Sequence, residues 1–440
     1  MKGEAGSEAR NDSTAPARRL MLFMPGHDPT DMDYHYGRFV YQAGKFAKLW
    51  SFDVRVSERL DDGTLEGEMG PSARWRVTAS GPNWQRETDY EILRWDDIVV
   101  ALDERPNPVR LGRGFYALSD FFFTGTAWRY LKACVRYGLF FFFPYLITGL
   151  FAGVAWLAGW LAMLGLGYGL ATPWPEIGGV LVGIGVFFAL FHQPGRRWRL
   201  HQALDDWDLA RNYMYGRTPT VDARLDRLGE LLVQRVASKR YDEIVLVGHS
   251  LGATLVLRVI GRALDLDPKL CERGTRICLL TCGATIPKLA LHPSGGRVRA
   301  EAARLSNLPG LAWAEYQARH DAINFHKFHP VLLRRTGFDR RFSLDGPRPL
   351  LRDANIKHMV MRENFRRHRW SPMRIHYQFM LANEKRASYD YFMIALGPVP
   401  FAVLATDKDG AINRFTPDGR LLSVAPFEPQ PPTSAALDAA

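Results

Sequence analysis

Between Tyr137 and Gly195 the chain carries a single formally charged residue, Glu176. A stretch of this kind has no face to offer water and must be enclosed in protein or immersed in lipid. Gly138 to Gly169 is long enough for a membrane-spanning helix of ~20 residues. Ile177 to Phe191 is a second apolar run, on the short side. Ala171-Thr-Pro-Trp-Pro-Glu176 separates the two as a helix-breaking connector with an interfacial tryptophan. Gly149/Gly153, Gly165/Gly169 and Gly179/Gly183 repeat at a four-residue spacing that permits close helix contact in lipid. A buried globular hairpin or an apolar lid is the competing reading, and the uninterrupted length disfavours it. The block therefore predicts a two-helix membrane hairpin over 131–199. Arg129, Lys132 and Arg136 precede it and Arg196, Arg197 and Arg199 follow it, which predicts that both ends lie on the cytoplasmic side.

On either side the chain reads as alternating strands and helices, as in an α/β protein. Residues 1–19 are polar, without the apolar core of a secretory signal, and are expected to be a disordered tail. Leu20 to Met24 is an apolar strand candidate, and Tyr34 to Trp50 has helical spacing with Phe39, Ala43, Phe46 and Leu49 on one face. Phe52–Val56 and Arg74–Thr78 alternate like half-exposed strands, and 60–90 has no clear pattern. Residues 20–130 are thus expected to form the first part of the α/β domain and 200–424 the second, with 425–440 a loose tail. In the second part Thr220 is a candidate cap for a helix presenting Leu225, Leu228, Leu232 and Val236.

The net charge of +11 suits an anionic partner. Beside an apolar block, anionic lipid fits that charge better than nucleic acid. The arginine-rich segment 331–374 is either a solvated surface or a contact for such headgroups. Cys134, Cys271, Cys278 and Cys282 have no metal-ligand spacing and suggest no disulfide framework. No metal and no cofactor is expected.

The most specific signal is Tyr241-Asp-Glu-Ile-Val-Leu-Val-Gly-His-Ser-Leu-Gly-Ala253. An apolar, β-branched run leads into Gly248-His-Ser-Leu-Gly252, and Leu255, Val256, Val259 and Ile260 follow at helical spacing. Strand, glycine-flanked turn and helix form the context in which G-x-S-x-G lifts a serine hydroxyl above a sheet. A serine hydroxyl needs a base, and the base needs an acid to hold its tautomer. Asp321 follows the strand candidate Leu311–Tyr316. Asp353 is the alternative acid, weaker for want of a clear strand before it. His326, His329, His358, His368 and His376 are the downstream histidines; His376 is preferred, in a loop before the final helix, and His358 is second. Pro25-Gly26-His27, after the first strand, could supply backbone N–H groups to a developing negative charge.

With these residues in the order Ser, Asp, His, the chain resembles the α/β-hydrolase superfamily, in particular lipase- and esterase-like members carrying Gly-His-Ser-Leu-Gly. The resemblance covers about 20–125 and 200–400. It implies an α/β-hydrolase fold with a mostly parallel central sheet, interrupted by the membrane hairpin. It further implies Ser250 as nucleophile, His376 as base, Asp321 as acid, and an oxyanion hole from Leu251 with Gly26 and His27. The expected function is hydrolysis of a small-molecule or lipid ester, or a thioester, through an acyl-enzyme. An acyltransferase, or an inactive hydrolase-fold protein serving as a membrane interaction partner, would carry the same residues.

Overall fold

The computed structural model describes residues 17–60, 73–167, 173–340 and 348–422. Six strands run parallel: β1 (Ala17–Met24), β4 (Trp84–Ile92), β5 (Glu243–His249), β6 (Arg276–Cys282), β7 (Ala312–Gln317) and β8 (Leu350–Asp353). β2 (Asp53–Arg59) and β3 (Arg74–Gly81) extend one edge by antiparallel pairing. All eight form one sheet in the order β2-β3-β4-β1-β5-β6-β7-β8. Leu20 pairs with Ile244 and Phe23 with Val247, so the sheet is continuous in space across the apolar block that divides it in sequence.

The central strands are buried on both faces, as apolar runs in parallel sheets require. Leu20, Leu22, Ile244, Leu246, Ile277 and Leu279 point to one core layer. Met21, Phe23, Val245, Val247, Cys278 and Leu280 point to the other. The helix Met32–Trp50 covers the second layer with Phe39, Ala43, Phe46 and Trp50, and Asp31 caps its N-terminus by accepting from Tyr34 N at 2.7 Å. Leu49, expected on that buried face, is only half-buried.

Several elements depart from the sequence expectation. β1 starts at Ala17, inside the stretch expected to be a disordered tail. Arg19 is buried there, bonded to Glu243 at 2.7 Å and to the carbonyls of Ile394, Gly397 and Val399. The rest of that tail, and the whole of the C-terminal one, lie outside the described residues. β4 occupies part of the patternless 60–90 stretch. Its Asp89 accepts from Arg74, Arg76 and Tyr241, so charge is buried by pairing rather than exposed. Burial alone would raise the Asp89 carboxyl; the hydrogen bonds from Arg76, Tyr241 and Arg74 outweigh it and hold the group at about 2. Thr220 is not the cap: the helix is Pro219–Ala237, with Pro219 in its first turn and Thr218 before it.

Within the apolar block, Val135–Gly165 and Trp174–Arg197 are long and apolar enough to cross a membrane. The second is longer than its apolar core suggests, because the helix continues through Pro194 to Arg197. The two pack where side chains are smallest. A Cβ at Gly159 would lie 2.6 Å from Gly179 O, and one at Gly183 would lie 3.2 Å from Ala155 O. Of the expected glycine pairs only Gly179/Gly183 lies in this contact. Gly149, Gly153 and Gly165 face open space, and Gly169 lies outside the described residues.

Candidate active site

Because the strands are parallel and in register, β1, β5, β6 and β7 end at one edge of the sheet, where open α/β sheets bind ligands. Met24 pairs with Gly248, His249 with Cys282, and Cys282 with Tyr316. The chain beyond β5 turns at Ser250, whose φ is +56°, a left-handed conformation that costs an ordinary residue about 1–2 kcal/mol. The turn is held by Ser250 N donating to Cys282 O at 3.3 Å and by Thr285 N and Ala253 N donating to Ser250 O. The flanking glycines are sterically required. A Cβ at Gly252 would sit 2.3 Å from Met24 O, and one at Gly248 would sit 2.5 Å from Ala253 Cα. Gly26, from the β1 turn, lies against the serine: a Cβ there would be 2.9 Å from Ser250 Cβ.

Asp321 is fully buried in the loop after β7, where its Oδ1 accepts from Ile323 N at 2.9 Å. Its Oδ2 lies 2.7 Å from Nδ1 of His376. A carboxylate can only accept, so the imidazole proton on that side resides on Nδ1 and the neutral ring presents Nε2 as an acceptor. Nε2 is buried and has no hydrogen-bond partner among the described residues. It belongs to the same cavity as Ser250, together with Gly26 and His27. Gly283 lies against this ring, at φ +53° and with a built Cβ 3.0 Å from His376 Cε1. His376 sits in the short helix Pro372–Tyr377 rather than in a loop; its C=O lies 3.2 Å from His249 Nε2.

The other histidines lie elsewhere. His358 is exposed and bonded to Asn355, His326 is 3.7 Å from Asp353, and His329 accepts from Val331 and Leu332 N–H groups. Neither these nor His368 line the cavity. Asp353 does end a strand, β8, which its arginine-rich surroundings concealed in the sequence, but it is exposed and distant from His376 in bonding.

The N–H groups of Leu251, Gly26 and His27 have no acceptor among the described residues. Several groups in or beside the cavity were not foreseen. Tyr377 donates to Asp28 Oδ2 at 2.5 Å, and Arg199, just past the second long helix, is 3.9 Å from Asp28 Oδ1. Gln202 donates to His27 O. His35 and Arg38 enter from the first helix; with Gln42 they form a polar i, i+3, i+7 stripe beside the apolar face, the one trace they leave in the sequence. Burial pushes His27 and His35 below the ordinary histidine value, His35 to about 4, so both rings are neutral at pH 7. His249 is likewise driven well down, by burial and then by His376.

Among the described residues no cluster of three or more His, Cys, Asp or Glu side chains is arranged to hold a metal ion. No protein-family model, curated protein or solved structure matches the chain.

Proposed function

We propose that the protein is a membrane-anchored serine hydrolase of the α/β-hydrolase type, cleaving a carboxylic ester or thioester through an acyl-enzyme. The observation that carries the reading is the meeting, at one sheet edge, of a strained serine, an imidazole with a vacant Nε2, and a buried carboxylate bonded to Nδ1. Ser250 Oγ attacks the substrate carbonyl while His376 Nε2 takes its proton. The carbonyl π electrons move onto oxygen, and the N–H groups of Leu251 and of the Gly26-His27 turn receive that charge. The intermediate collapses, His376 returns the proton to the departing alcohol, and Ser250 remains acylated. Water, deprotonated by His376, attacks the acyl carbonyl; the bond to Ser250 Oγ then breaks as His376 returns the proton to that oxygen, and the acid leaves. Asp321 keeps Nδ1 protonated throughout and stabilises the imidazolium.

The two long helices are read as a membrane hairpin. Their outward faces expose Leu146, Trp156, Leu161, Val180 and Leu181, more contiguous apolar surface than a water-soluble monomer normally shows. Trp174 and Trp198 mark the ends, where tryptophan favours the lipid–water interface. In this reading the catalytic domain lies on the cytoplasmic side, which the arginines at both outer ends favour.

The test is turnover of a panel of 4-nitrophenyl esters and thioesters by detergent-solubilised protein. Activity lost in Ser250→Ala and in His376→Ala, with unchanged folding, supports the reading. Activity retained in either variant removes it.

A further inference from the structure

Charge in the Ser250 cavity is unevenly matched. Among the described residues Asp28 is its one lining carboxylate, and that group is already engaged by Tyr377 at 2.5 Å and faced by Arg199 at 3.9 Å. Arg38 is its one lining cation among the described residues, and none of their carboxylates is ion-paired with the guanidinium. Arg94 and Arg258, also half-buried, are paired with Asp96 and Asp226; half-buried Arg129, Arg299, Arg352 and Arg386 lack a carboxylate but donate to backbone carbonyls, whereas Arg38 has neither among the described residues. The polar neighbour of Arg38 is His35 Nδ1 at 3.3 Å, and His35 Nε2 is 2.8 Å from Thr30 Oγ1. That ring is neutral, so it accepts one hydrogen bond and cancels no charge. The rings of Tyr34 and Tyr377, at 5.5 and 5.8 Å, hold the guanidinium by its face and leave its N–H edge available.

A further observation points to a ligand. His27, 8% exposed, lines the same cavity, and neither of its buried ring nitrogens has a partner among the described residues, a state that calls for a ligand, ion or water partner. A second, water-sized cavity shares Phe23, His35, Arg38 and Met380 with the first and is bounded by the packed core rings of Phe39, Trp75, Tyr90 and Phe392, so Arg38 lines both.

We propose that the cleft selects an ester carrying a carboxylate or phosphate near the scissile bond, and that Arg38 holds that anion. The proposal rests on the reading of Ser250 as nucleophile. A guanidinium without a carboxylate partner pairs bidentately with either anion. The anion could reach the site on a soluble acid ester or on a lipid headgroup.

Two matched substrate pairs separate these sources, assayed with the full chain in neutral detergent micelles. One pair is 4-nitrophenyl hydrogen adipate and its methyl ester; the other is a lysophosphatidic acid and the monoacylglycerol with the same acyl chain. The readout is the ratio of kcat/KM, anionic over neutral, within each pair. In Arg38→Gln the ratio falls at least about tenfold for one pair or both, and Arg38→Lys restores part of it. The pair that responds identifies the source. Competition by glutarate or inorganic phosphate against neutral-ester turnover in the unaltered protein gives the same answer without a variant. Turnover with a ratio unmoved by Arg38→Gln and no such competition would overturn the anion assignment alone. No turnover of any ester, with no phosphonate labelling of Ser250, would overturn the hydrolase reading and this one with it.

Discussion

Ser250 keeps a left-handed backbone that few serines adopt, and three backbone hydrogen bonds around it offset the strain. Its environment lets each partner residue be assigned a separate expected effect. Asp321→Asn leaves the ring position but lets the amide present its N–H to Nδ1, which favours the wrong tautomer. Turnover should drop by up to about 10⁴-fold with little loss of stability. Steady-state kinetics beside a thermal melt checks this, and equal losses in both would reduce Asp321 to a structural role. A second residue makes a prediction about pH. Burial pushes Glu315 up from 4.5 to about 7, against hydrogen bonds from Gln317 and Thr281 that lower it. The folded protein therefore binds this proton more tightly than the unfolded chain does. The resulting stabilisation is full below about pH 4.5 and is lost as pH rises through 7. Melting curves of Glu315→Gln should lack that part of the pH slope, whereas parallel curves for the two proteins would contradict it.

At the scale of elements, the site exists because four strand ends align, and glycines set how closely the turns meet. Gly252→Ala brings a methyl to 2.3 Å from a backbone oxygen that cannot yield cheaply. It should cost about 1–3 kcal/mol and displace Ser250, read as a lower denaturation midpoint together with lost turnover. In the apolar block, Gly179→Leu should separate the two long helices. Cysteines introduced as Ala155→Cys and Gly183→Cys should cross-link in the parent and not in that variant. These elements also show what a single sequence can disclose. The strand–turn–helix around Ser250 was legible because its apolar run, its glycines and its helical spacing are local. Asp321 and His376 were legible through their order along the chain. β4 was not, because its Arg86, Asp89 and Glu91 look exposed until partners from distant segments, among them Tyr241 and Pro398, are in place. β8 is short and edge-lying, and Arg38 resembles any helix-surface arginine until the cavity forms around it.

For the whole molecule, the sheet closes across the apolar block, so the block leaves and re-enters the domain on one side. Its return, through Arg199 and Gln202, touches the turn beside Ser250. The proposed topology puts the connector between the long helices on the far side of the membrane. In right-side-out vesicles, Thr172→Cys should react with an impermeant thiol reagent and Arg217→Cys only after lysis. Protection of both before lysis would favour a peripheral or re-entrant anchor. The central claim, that Ser250 is an activated nucleophile, is tested most directly on the full chain in its membrane. A fluorophosphonate reagent, followed by peptide mass spectrometry, should place one adduct on Ser250, with labelling slowed by at least about a hundredfold in His376→Ala. An unmodified Ser250, or labelling at the same rate without His376, would contradict the account.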